Sequence, residues 1–115
     1  MHKLNTDGYA GAAQATKAQP APGLRGRMLD KAKELTMGDR NESYGEPYEN
    51  MKRAADVFNA ITGRDLSASE ISTVQEAIKL ARRKTSPTKA DNYVDDMAYA
   101  GITAECVARE KGRME

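Results

Sequence analysis

Apolar positions recur at helical spacing in four runs between Leu24 and about Arg109, and each run is bounded by helix-breaking residues. The first run, about Leu24 to Met37, places Leu29, Ala32 and Leu35 on one side, and Gly38 is a natural C-terminal stop. A polar loop follows, Asp39-Arg40-Asn41-Glu42-Ser43-Tyr44-Gly45-Glu46, and Pro47 fits the first turn of a second helix. That helix carries Met51, Ala54, Ala55, Phe58 and Ile61 at 3.6-residue spacing and ends at Gly63. Ser67-Ala-Ser-Glu70 is a capping box for a third helix, whose apolar stripe reads Ile71, Val74, Ile78 and Ala81. Ser86-Pro87 stops it. Thr88-Lys-Ala-Asp91 forms a second box-like start. The fourth helix then runs to about Arg109, with Val94, Met97, Ala98, Gly101, Ile102 and Cys106 inward.

This pattern predicts an all-α fold, a small four-helix bundle-like domain over residues 24–115. Residues 1–23 are small, polar and Pro-punctuated, and read as a flexible N-terminal tail. The apolar faces are narrow and rich in Ala and Gly, so a bundle this small leaves apolar surface uncovered. Completion by homo-oligomerisation is the expectation.

Composition narrows the classes. A chain of 115 residues builds one small core. Charged residues make up 30%, yet the net charge is only +1, so no nucleic acid is expected as a partner. Aromatic content of 5% argues against strands. No run of apolar residues reaches membrane-spanning length and the N-terminus lacks a signal-peptide centre, so the expected setting is cytoplasmic with no membrane partner. The lone Cys106 excludes an intrachain disulfide, and the lone His2 excludes a multi-histidine metal site and a Ser-His-Asp triad. Cys106 reads as a small core residue.

The chemistry is concentrated where the third helix ends and the fourth begins. At about 100° per residue, Arg82 falls inside the expected apolar stripe beside Ile78 and Gln75. Asp91 and Asp95 fall at the edge of the next stripe, beside Val94, Ala98 and Ile102. Inward charges are costly unless paired, hydrogen-bonded or metal-bound. Asp91 and Asp95 are like charges at (i, i+4), with Asp96 nearby, and magnesium accepts one or two carboxylates plus waters and phosphate oxygens. Glu105 lies further along the same arc. A magnesium site on Asp91 and Asp95 therefore competes with a salt bridge from these acids to Arg82. The basic set is Lys79, Arg82, Arg83 and Lys84, with Lys89 after the turn. It either complements the helix dipole or contacts a phosphate, for which Arg82, Lys79 and Lys89 are the candidates.

A third group surrounds the second helix start. Tyr44-Gly45-Glu46-Pro47 is a tight turn in which Gly45 takes an unusual φ. Tyr44 and Tyr48 either clasp the start of the helix or stack on a base, and Asn50 sits in the apolar arc, where it must find partners. Arg40, Asn92 and Tyr99 complete the candidate ligand-binding set.

Several spaced motifs carry a resemblance. Leu35 with Gly38-Asp39-Arg40, Tyr44-Gly45-Glu46-Pro47 with Asn50, Lys79-Leu-Ala-Arg82, and Lys89-Ala-Asp91-Asn92-Tyr-Val-Asp95 with Ala98-Tyr99-Ala100 resemble a family of small bacteriophage-encoded domains of uncharacterised function. The resemblance runs from about Leu29 to Glu105 and implies phage or prophage origin. More distantly, the chain is similar to the all-α MazG-like nucleoside triphosphate pyrophosphohydrolases, helical oligomers that bind magnesium through ExxE and ExxD motifs. Asn92-Tyr-Val-Asp95 stands in the ExxD register. Where ExxE belongs, Glu76-Ala-Ile-Lys79-Leu-Ala-Arg82 keeps one acid and substitutes two cations.

These resemblances imply a phage-type protein that binds a phosphorylated nucleotide or another phosphorylated small molecule, with sequestration of a host-defence signal as one role. A magnesium-dependent pyrophosphohydrolase is the alternative. An interaction module whose inward charges simply pair is the third.

Overall fold

The computed structural model describes residues 23–38 and 45–115. It contains α1 (Leu24–Met37), α2 (Pro47–Thr62), α3 (Ala68–Thr85) and α4 (Ala90–Lys111), with no strand among the described residues. The all-α expectation holds, and three of the punctuation signals act as read. Gly38 ends α1. Pro47 occupies the first turn of α2, behind Glu46, whose carboxylate accepts from the Glu49 N–H at 3.3 Å. Ser67 and Glu70 form the reciprocal capping box of α3, with Glu70 N–H donating to Ser67 Oγ at 3.2 Å and Ser67 N–H to Glu70 Oε1 at 2.9 Å. The start of α4 differs from expectation. Its N-cap is Lys89 with no side-chain cap bond, so Thr88 does not serve as a box.

The connection between α2 and α3 is tied by one side chain. Asn59 accepts from the Leu66 N–H at 2.8 Å through its amide oxygen and donates to the Leu66 carbonyl at 3.0 Å through its amide nitrogen. Gly63 ends α2 at φ 75°, the left-handed conformation that a Cβ disfavours.

α3 and α4 share the largest helix contact, α1 packs on α4, and α2 packs on α3 with a smaller contact to α4. Two separate cores result. One holds Met51, Ala55, Ala68, Ile71 and Cys106; the other holds Ala32, Val94 and Ala98, with Met28, Leu35 and Met97 against it. α4 contributes to both.

The rotation of α3 is the main departure from the hydrophobic pattern. Ala68, Ile71 and Ser72 are buried, while Val74 and Ile78 are exposed. The helix is turned by roughly 100°, one residue step, from the orientation its apolar stripe predicts. Its inner face instead carries Ser72, Glu76, Lys79 and Arg83, each of which meets a polar partner on α4. Arg82 is consequently exposed rather than inward, which corrects its expected pairing with Asp91 or Asp95. In α4, Asp91 and Gly101 are likewise exposed, and Asn92 is buried instead. Phe58 and Ile61 of α2 and Leu29 of α1 also face outward.

Candidate functional site

The contact between α3 and α4 is built from polar rungs. Thr103 Oγ1 lies 2.6 Å from Ser72 Oγ and 2.6 Å from Glu76 Oε2. A hydroxyl carries one proton, so Thr103 donates to the Glu76 carboxylate and accepts from Ser72. The next rung is Lys79 Nζ on Asp95 Oδ2 at 3.1 Å. The third is Arg83 Nη2 on Asp96 Oδ2 at 2.9 Å, with the Arg83 guanidinium 4.4 Å above the Tyr93 ring. Tyr93 is itself anchored, its hydroxyl donating to the Pro87 carbonyl at 2.7 Å. Arg83 Nε is buried without a hydrogen-bond partner among the described residues.

The middle rung borders a partly open cavity of about 190 Å³ lined by residues of all four helices. Leu35 and Thr36 come from α1, Pro47, Asn50 and Met51 from α2, Lys79 from α3, and Asp95, Ala98, Tyr99 and Ile102 from α4. The cavity lies on the seam between the two cores: Met51 belongs to one and Ala98 to the other. Its lining also includes Gly45, at φ 87°, where a Cβ would come within 3.2 Å of Arg53 Nη2. The turn thus needs glycine for both conformation and space.

Four residues singled out for different reasons in the sequence converge here: Asn50, Lys79, Asp95 and Tyr99. The Asn50 amide and the Tyr99 hydroxyl make no hydrogen bond among the described residues, so both polar groups are available to a guest. The apolar walls of Leu35, Met51, Ala98 and Ile102 supply the contact surface that small-molecule sites require.

The other candidates lie elsewhere. Tyr48 sits under the Arg109 guanidinium at 4.8 Å, and Arg109 also meets Glu46 at 3.1 Å and Glu105 at 3.2 Å. Glu105 is thus engaged on the surface. Lys89 is exposed at the start of α4, and Asn92 turns inward to donate to the Ser86 carbonyl at 3.4 Å. Arg40 and Tyr44 fall outside the described residues. Of the two proposed metal ligands, Asp95 is held by Lys79 and Asp91 faces solvent. Among the described residues no three carboxylate, cysteine or histidine groups gather closely enough to hold a metal ion.

Two features escaped the sequence reading. The Arg83–Asp96 pair was masked by the rotation of α3, although Lys79 and Arg83 share an (i, i+4) face that signals it. The Ser72–Thr103–Glu76 chain carries no spacing signature, because hydroxyls on two helices announce nothing until the helices are docked.

Cys106 is buried at the other end of α4. Burial, then the negative charges of Glu110, Glu105 and Glu46, push its thiol up to about 11, with Arg109 opposing. It is protonated at neutral pH and inert as a nucleophile.

Residues 27–107 match the family model of a domain of unknown function, DUF6378. The chain belongs to the DUF6378 family. The match spans every cavity residue, from Leu35 to Ile102. Among curated proteins, the DUF6378 chain is 33% identical over 82 residues to the Gene 55 protein of Mycobacterium phage D29, covering 71% of this chain and 52% of the relative. It is 29% identical over 76 residues to the Gene 55 protein of Mycobacterium phage L5, covering 65% and 49%. The chain therefore spans about half the length of the curated relatives it matches. No solved structure gives a significant match. These relatives bear out the expected grouping with phage-encoded domains of uncharacterised function. No helix among the described residues is long and apolar enough to cross a membrane.

Proposed function

We propose that this chain binds a phosphorylated nucleotide in the cavity between its four helices. The observation that carries the reading is the convergence of Asn50, Lys79, Asp95 and Tyr99 on one apolar-walled space, with the Asn50 amide and Tyr99 hydroxyl unengaged. Asn50 and Tyr99 are half-buried at the cavity, and a few polar groups set among apolar walls are what fix a ligand's orientation. The distant likeness to MazG-like pyrophosphohydrolases points the same way, while Lys79, standing where that pattern has an acid, supports binding without cleavage.

The phage relatives support a role inside the infected bacterium, where a nucleotide binder can sequester a defence signal. Self-association is part of the same reading: Val57, Ile61 and Met37, at 59%, 78% and 69% exposure, are apolar groups that a second copy would cover.

A thermal-shift screen of ribo- and deoxyribonucleotides, with and without magnesium, tests the proposal. At least one nucleotide should raise the Tm, and Asn50→Ala should abolish the rise. If no nucleotide raises the Tm at millimolar concentration, the proposal fails. Pyrophosphate release that requires magnesium and Asp95 would replace it with the hydrolase alternative.

A further inference from the structure

We infer that the cavity receives the nucleobase and excludes the phosphates, and that Asp95 is the residue that sets this preference. The inference rests on the nucleotide-binding reading and specifies which part of the ligand enters.

The argument begins with charge. Among the described residues that line the cavity, Lys79 is the one cation, and Asp95 neutralises it at 3.1 Å, with side-chain exposures of 16% and 30%. A phosphate entering the cavity would gain one cation and meet one carboxylate beside it. Like charges held together away from water are strongly unfavourable. A neutral guest pays no such penalty.

Size and hydrogen-bonding chemistry agree with a base. At about 190 Å³ the cavity is smaller than the few hundred Å³ of a typical drug-sized site, so it holds one compact group rather than a whole nucleotide. The apolar walls from Met51, Ala98, Ile102 and Leu35 suit the faces of a ring. The Asn50 amide presents a donor and an acceptor side by side, the complement of the paired donor and acceptor on a base edge. Tyr99 adds a hydroxyl that gives or accepts one further bond. The phosphates then remain outside the cavity, in the solvent beyond its mouth.

Isothermal titration of the full chain with the common nucleosides, their 5′-triphosphates and inorganic triphosphate tests this. At least one nucleoside should bind within about threefold of its triphosphate, and inorganic triphosphate should not bind. Asp95→Asn keeps the side-chain shape but frees the Lys79 charge. It should tighten the triphosphate relative to the nucleoside by about tenfold, the equivalent of 1.4 kcal/mol. Asn50→Ala should weaken nucleoside and triphosphate equally. Circular dichroism confirms that each variant is folded; should Asp95→Asn unfold, Lys79→Met supplies the opposite comparison, because it leaves the Asp95 carboxylate unpaired and should weaken the triphosphate relative to the nucleoside.

If the triphosphate binds and its nucleoside is more than about a hundredfold weaker, the base-in-cavity assignment is overturned while nucleotide binding stands. An unchanged ratio in Asp95→Asn removes that residue's assigned role. Binding of neither nucleosides nor triphosphates sinks both claims.

Discussion

Lys79 and Asp95 join α3 to α4 at 3.1 Å on the wall of the central cavity, each largely withdrawn from water. Such a pair lies between an exposed ion pair, worth little, and a buried one, which is costly to break from one side. Lys79→Met and Asp95→Asn should each lower stability by about 1–2 kcal/mol. The double variant should lose less than the sum, because the second change removes an already orphaned charge. Urea unfolding of the four proteins gives the coupling; strictly additive losses would mean that the two side chains do not interact.

Adjacent arginines should behave very differently. Arg83 binds Asp96 at 2.9 Å and covers Tyr93, whereas Arg82 is exposed and makes neither contact. Arg83→Ala should cost about 2–3 kcal/mol through the stranded Asp96 and the lost ring contact. Arg82→Ala should stay within about 0.5 kcal/mol of the native protein. Equal effects in thermal denaturation would return Arg82 to the interior.

Asn59 closes the α2–α3 connection with two backbone bonds to Leu66. Replacement by Ala leaves a half-buried N–H and C=O unpaired. The expected loss is about 2 kcal/mol, read as a drop in the urea midpoint at unchanged slope. Asn59→Asp should recover part of it, since the carboxylate still accepts from the Leu66 N–H.

Cys106 predicts an alkaline weakening. Its thiol ionises near 9.0 in ordinary surroundings and near 11 in the fold. Below the lower value both states hold the proton, and the thiol has no effect on the pH dependence. As pH rises between the two, the unfolded chain releases its proton first, so stability falls; above the higher value the loss is complete. Comparing native protein with Cys106→Ala over this range isolates the effect, because lysine and tyrosine titrations are common to both. In the native protein a thiol reagent at pH 8 should react only at the rate of opening. Immediate reaction would place the thiol at the surface.

The legible parts of the fold were those written in local chemistry. Ser67 with Glu70, Pro47, Gly38 and Gly63 act within a few residues of themselves, so their roles do not depend on what packs nearby. The bounds of the helices follow from them. The rotation of α3 was not legible from hydrophobicity, because its inner face is held by charges whose partners lie on another helix. Val74 and Ile78 outweigh Glu76, Lys79 and Arg83 on any apolar scale, yet the latter three have α4 partners waiting and the former two do not. The same cause explains the site. Asn50, Lys79, Asp95 and Tyr99 were each conspicuous as polar or aromatic residues near apolar stripes, but α1, which supplies Leu35 and Thr36 to the cavity, offered no chemical signal.

The division of the interior into two cores along α4 has a mechanical consequence. α1 is anchored through one core alone, by Met28, Ala32 and Leu35 on Val94, Met97 and Ala98, so it can detach while α2, α3 and the rest of α4 stay docked. Segments held this way open as separate cooperative units, with their own amide-exchange rates. A guest in the cavity touches Leu35 on one side of the seam and Met51 on the other, and so fastens the two units together. Occupancy should therefore slow hydrogen exchange along the whole of α1, including turns that never meet the guest, and turn a stepwise opening of the protein into a single event.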